Sequence, residues 1–152
     1  TLNKFQESRE HEKMPGPEFL AYPMLHDVIM APPWMSRSTQ ELLRTLQDIK
    51  CAFGVSEARF LPYWSNRDAI GLSAEGALVS GYHREDPSGL LLFAQAPTEE
   101  PMELSVTLKG ELAGREGTLA RDALTGEALQ WRDGKLIWPL PGRAVQVAVI
   151  GG

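Results

Sequence analysis

The chain has 152 residues, enough for one domain or one domain with an appendage, and enough to bury about two-thirds of its unfolded surface. Its formal net charge of −5 argues against binding a nucleic-acid backbone, which needs a basic patch. No apolar stretch approaches the roughly 18 residues of a membrane span, and the single cysteine, Cys51, cannot form an internal disulfide.

Residues 1–17 read as a loop or arm. They are polar and charged from Thr1 to Lys13, and Met14-Pro-Gly-Pro17 breaks any helix there. Phe19 to Met30 is more apolar and predicts a short strand around Met24–Ile29. Ala31-Pro-Pro-Trp34 predicts a rigid loop, because two prolines fix φ and remove two amide donors. Ser38-Thr-Gln-Glu41 has the spacing of a capping box. Leu42, Leu46, Ile49 and Phe53 follow on one stripe, and Gly54 stands where a C-cap glycine belongs. The spacing predicts an amphipathic helix over 39–53, with Cys51 opposite Leu42 as an exposed thiol.

After Gly54 the period changes from helix to strand. Leu104, Val106 and Leu108 alternate with polar residues, Val145, Val147 and Val149 alternate with Gln146 and Ala148, and Leu136, Trp138 and Leu140 form a third alternating set. The run Leu90–Phe93 is apolar throughout, as expected of a strand covered on both faces. Asp133-Gly134 marks a hairpin, and Pro87-Ser-Gly89, Thr125-Gly126 and Pro141-Gly142 mark further turns. Short strands with regular turns predict a mainly antiparallel β-sandwich over residues 55–152, preceded by an N-terminal loop or βα segment and one amphipathic helix over residues 1–54.

The chemistry-bearing residues are sparse. There is no HExxH, clustered Cys/His or EF-hand loop to suggest a metal, and no glycine-rich loop opening a helix to suggest a nucleotide; no cofactor is expected. There is no G-x-S-x-G elbow. Glu99-Glu100 lie in a Pro-flanked turn, and Glu111 and Glu116 flank another loop, so no catalytic carboxylate pair is assigned. Asn66-Arg67-Asp68 reads as a solvated turn. Trp34, Tyr63, Trp64, Tyr82, Trp131 and Trp138 could stack on sugar rings, but aromatics more often fill cores and junctions. Tyr63 and Trp64 are expected to pack where the helix passes into the sandwich.

The segments Val55 to Trp64 (ending in Pro62-Tyr63-Trp64), Leu78-Val-Ser-Gly-Tyr82, Gly89 to Ala94 and Asp122-Ala-Leu-Thr-Gly-Glu127 carry a family likeness in their order. Over roughly residues 20–152 the chain resembles the end of glycoside hydrolases in which a β-sandwich follows a catalytic (β/α) barrel, and among them the family 123-like glycosidases. The resemblance implies a non-catalytic C-terminal domain acting in carbohydrate metabolism, with the parent barrel as its partner and carbohydrate as a further one. It also implies that residues 20–53 are the last βα unit of that barrel, which would place His26 and Asp27 near the sugar site. Adjacent strand residues point to opposite faces, so they would not act as a direct base and orienter. Two other readings stand beside this one: an independent carbohydrate-binding module, which needs a coplanar, exposed aromatic row, and a structural or interaction β-sandwich unrelated to sugars. The first residue is Thr1, not Met, so a fragment or processed chain is expected. The lack of a signal pattern therefore leaves the compartment open, secretion and periplasm included.

Overall fold

A computed structural model describes residues 17–28 and 35–151. Nine strands form two antiparallel sheets. The five-stranded sheet has the order β1 (Arg59–Leu61), β3 (Leu78–Arg84), β4 (Gly89–Gln95), β9 (Gln146–Ile150), β6 (Ala120–Asp122). The four-stranded sheet runs β2 (Ile70–Leu72), β5 (Met102–Leu108), β8 (Lys135–Leu140), β7 (Gln130–Arg132). This is the expected β-sandwich. Leu90, Leu92 and Ala94 of β4 meet Leu104, Val106, Leu136 and Trp138 of the facing sheet in its central core. Asp133 (φ 51°) and Gly134 (φ 76°) both take left-handed backbone between β7 and β8, which is the primed turn that two-residue hairpins favour.

The other face of the five-stranded sheet is also dry. Leu91 and Phe93 of β4, Tyr82 of β3 and Val147 of β9 pack against two helices. Helix α1 (Ala21–His26) follows a 3-10 turn over Pro17–Leu20, and helix α2 is Arg37–Phe53. Leu20, Met24 and Leu25 from the first and Leu43, Leu46 and Phe53 from the second are buried, each contributing about 1.5–3 kcal/mol of transfer free energy. The molecule therefore has three layers: helices, a five-stranded sheet and a four-stranded sheet.

Two expectations need correction. Met24–His26 is helical, with Asp27 at its left-handed C-cap, so the strand around Met24–Ile29 is not formed over its described part; Ile29 itself lies outside the described residues. Pro23 fits because it sits in the first turn, where the amide has no intrahelical partner. The N-cap of α2 is Ser36, not Ser38: its extended backbone lets Oγ accept from the Thr39 amide at 3.3 Å, while Glu41 pairs with Arg37. Gly54 closes α2 at φ 83° as expected, and a Cβ there would lie 2.7 Å from Arg84 Nη1.

Phe93 is fully buried under the helices. Phe93→Ala should lower the free energy of unfolding by about 3–5 kcal/mol, read by urea denaturation. A loss below about 1 kcal/mol would mean that the helices are not firmly seated on the sheet.

Candidate functional site

The densest group of chemistry-bearing side chains lies where α1 meets the first sheet. Its hub is the Leu78-Val-Ser-Gly-Tyr82 segment. Ser80 is fully buried; its hydroxyl donates to the Leu25 carbonyl of α1 at 2.8 Å and accepts from the Tyr63 amide at 3.0 Å. Two residues on, and so on the same face, the Tyr82 hydroxyl donates to Asp27 Oδ1 at 2.5 Å. Burial first, then the bond to Asp27, pushes the Tyr82 hydroxyl far above the ordinary phenol range, so it stays a protonated donor. Lys50 of α2 lies 3.6 Å from the same Asp27 oxygen and over the Tyr82 ring. Between Ser80 and Tyr82, a Cβ on Gly81 would meet Leu92 at 2.8 Å, which explains the glycine.

These bonds hold an aromatic column. Tyr22 stacks on His26 with centroids 4.4 Å apart, and His26 stacks on Trp64 at 5.4 Å, with interplanar angles of 27° and 26°. Tyr63 and Phe60 meet Trp64 edge-on. His26 Nδ1 donates to the Tyr22 carbonyl at 2.9 Å, which leaves Nε2 to accept from the Tyr63 hydroxyl at 3.3 Å. The structure thus brings together four of the five residues singled out from sequence: His26, Asp27, Tyr63 and Trp64. Trp34 lies outside the described residues. Trp64 packs against His26 of α1 and against Phe60 and Tyr63, and is 58% exposed, because the column stacks on one side of it and nothing described covers the other. His26 and Asp27 are placed by a helix end rather than a strand.

Sequence reasoning did not single out the second cluster. His83 is only 9% exposed; its Nε2 accepts from Arg115 at 2.9 Å, which puts the ring proton on Nδ1, 4.0 Å from Glu111. Among the described residues Nδ1 has no hydrogen-bond partner. Glu111 is paired with Arg59, and that bond holds its carboxyl below the usual range, the wrong direction for a general acid. Burial, then Arg115, lowers the His83 pKa. Pairs β1 and β3 place Arg59 opposite His83, so only the pairing of distant strands reveals the cluster.

The other candidates serve the fold. Asn66 is buried rather than solvated, and its amide donates to the Leu61 and Val79 carbonyls. Asp122 accepts from the Leu124 and Thr125 amides at 2.8 and 3.0 Å, so the Asp-Ala-Leu-Thr-Gly-Glu segment is a side-chain-closed turn. It borders a cavity of about 310 Å³ with an apolar floor of Ile49, Phe53 and Val149. Arg84 at its rim is committed to the Phe53 and Pro87 carbonyls. Trp138 is in the core, and Trp131 donates to the Thr118 carbonyl at 2.7 Å. Among the described residues no three His, Cys, Asp or Glu side chains converge on a metal-sized site, and no helix is long and apolar enough to cross a membrane.

No family model matches the chain, and neither does any curated protein. Solved structures do. An α-amylase from Anoxybacillus superposes with a TM-score of 0.55 at 16% identity, over 82% of this chain and 24% of that one. An α-amylase from Geobacillus thermoleovorans, in complex with acarbose, gives 0.56 at 12% identity, over 82% and 25%. The fold is one found within glycoside hydrolases. The chain spans about a quarter of the amylase chains it matches, and the match does not single out the family 123-like group.

The His83 cluster fixes a pH dependence. Its folded pKa lies below the ordinary 6.5, so the unfolded chain takes up the proton first. The stability from this group is complete above about pH 6.5 and is lost as pH falls from there through the folded value. Glu85, Glu111, Arg59 and Arg115 all face His83 electrostatically. Unfolding free energies measured between about pH 7.5 and 5 should therefore fall on acidification, and His83→Gln should flatten the slope. An unchanged slope in that variant would refute the assignment.

Proposed function

We propose that this chain is the non-catalytic C-terminal β-sandwich of a glycoside hydrolase, which supports a catalytic (β/α) barrel in the same polypeptide. The observation that carries the reading is the fold shared with about a quarter of two α-amylase chains. A quarter-length piece of such an enzyme need not hold its own catalytic pair. Hydrolysis of a glycosidic bond requires one carboxyl able to protonate the leaving oxygen, and Glu111, held ionised by Arg59, is unsuited to that. The narrower affiliation, with the family 123-like glycosidases, rests on the sequence motifs alone. The roles those motifs play here are structural: Ser80 and Tyr82 bind α1, and Asp122 closes a turn.

An independent carbohydrate-binding module fits less well. A sugar platform offers ring faces side by side. Here Tyr22, His26 and Trp64 spend ring faces on one another, both His26 nitrogens are taken by Tyr22 and Tyr63, and Asp27 Oδ1 is taken by Tyr82 and Lys50.

The isolated chain should release no product from a panel of aryl glycosides, while the full-length protein that carries it hydrolyses at least one. Turnover by the isolated chain that survives repurification and vanishes on changing one of its Asp or Glu residues would overturn the reading.

A further inference from the structure

Helix α1 and the 3-10 turn before it carry apolar side chains on both sides. Leu20, Ala21, Met24 and Leu25 face the sheet and are buried. Phe19, Tyr22 and His26, spaced three and four apart, form the opposite stripe, with Phe19 42% and Tyr22 57% exposed. Trp64, 58% exposed, is joined to the stripe through His26, and Val28 (40%) follows α1 two residues on. A helix that is hydrophobic all round is a buried helix. One of six residues behind a 3-10 turn also has little stability of its own. Such a segment belongs between two layers, and among the described residues the sheet supplies only one of them.

We propose that the outer face of α1 and of the 3-10 turn before it, made of Phe19, Tyr22 and His26 and continued by Trp64, is the surface on which the catalytic domain of the full-length protein docks. This rests on the accessory-domain reading above, and on the size relation: the amylases sharing this fold have about four times the matched length. The chemistry of the face favours a protein over a sugar. Tyr22, His26 and Trp64 stack on one another rather than lying side by side, and both His26 ring nitrogens are taken by Tyr22 and Tyr63, so the face offers mainly apolar area. Its rings are held in place before binding, Trp64 by His26, Phe60 and Tyr63 at once. Rigid aromatic anchors with exposed area and little entropy left to lose are the groups that dominate protein interfaces.

Cysteine labelling tests this directly. In a Cys51→Ser background, Tyr22→Cys and, separately, Trp64→Cys are reacted with a maleimide in the isolated chain and in the full-length protein. Glu75→Cys, an exposed turn position outside the face, serves as the reference. Docking predicts that both face positions label about tenfold or more slowly in the full-length protein, while the reference is unchanged. Equal rates in the two proteins would overturn the proposal. So would protection already present in the isolated chain and lost on dilution, which would mean a second copy covers the face. The two claims fail separately. Protection in a full-length protein that hydrolyses no glycoside would keep the docking surface and reject the enzyme reading. Hydrolysis with unprotected positions would do the reverse.

Discussion

Strand β4 is dry on both faces, and everything else in the molecule answers that fact. Leu90, Leu91, Leu92, Phe93 and Ala94 are all fully buried. Alternate residues of a strand point to opposite sides, so a strand of this composition needs a layer on each. The four-stranded sheet covers Leu90, Leu92 and Ala94, and the helices cover Leu91 and Phe93. Exposing either set would put two large side chains in water at roughly 1.5–3 kcal/mol each, a large fraction of the stability of an ordinary domain. The helices are thus part of the fold rather than an appendage to it.

The attachment of the helical layer is specific as well as apolar. Ser80 and Tyr82 project from β3 toward α1 and bond the Leu25 carbonyl and the Asp27 carboxylate. A buried hydroxyl with two partners fixes register, since any shift would leave it unpaired at a cost of about 1–3 kcal/mol. The same two residues position the aromatic column, because Ser80 also holds the Tyr63 amide. What the outer surface of the molecule presents is therefore set from inside the sheet.

Much of this was legible in the residues. The period change at Gly54, the Asp133-Gly134 turn and the continuous run at Leu90–Phe93 each follow from one local rule, and each took the expected form. The segment around Met24 did not. A short apolar run carries no decisive period, so strand and buried helix look alike in it. The cap of α2 slipped by two residues because Ser36 and Ser38 both precede a polar residue at the right spacing, and only the backbone at Ser36 is extended. The His83 cluster and the aromatic column were illegible for another reason: their members meet only through strand pairing and helix docking. Trp64 shows the limit of position alone, since lying at a junction did not make it buried.

The first sheet requires the helical layer as its cover. The direct measurement is the solution behaviour of a chain beginning at Val55, compared with the full 152 residues by urea unfolding, sedimentation and binding of an apolar dye. The shortened chain should aggregate, or bind the dye without a cooperative transition, because Leu91, Phe93 and Val147 have lost their cover. A monomeric shortened chain that unfolds cooperatively with undiminished stability would contradict it.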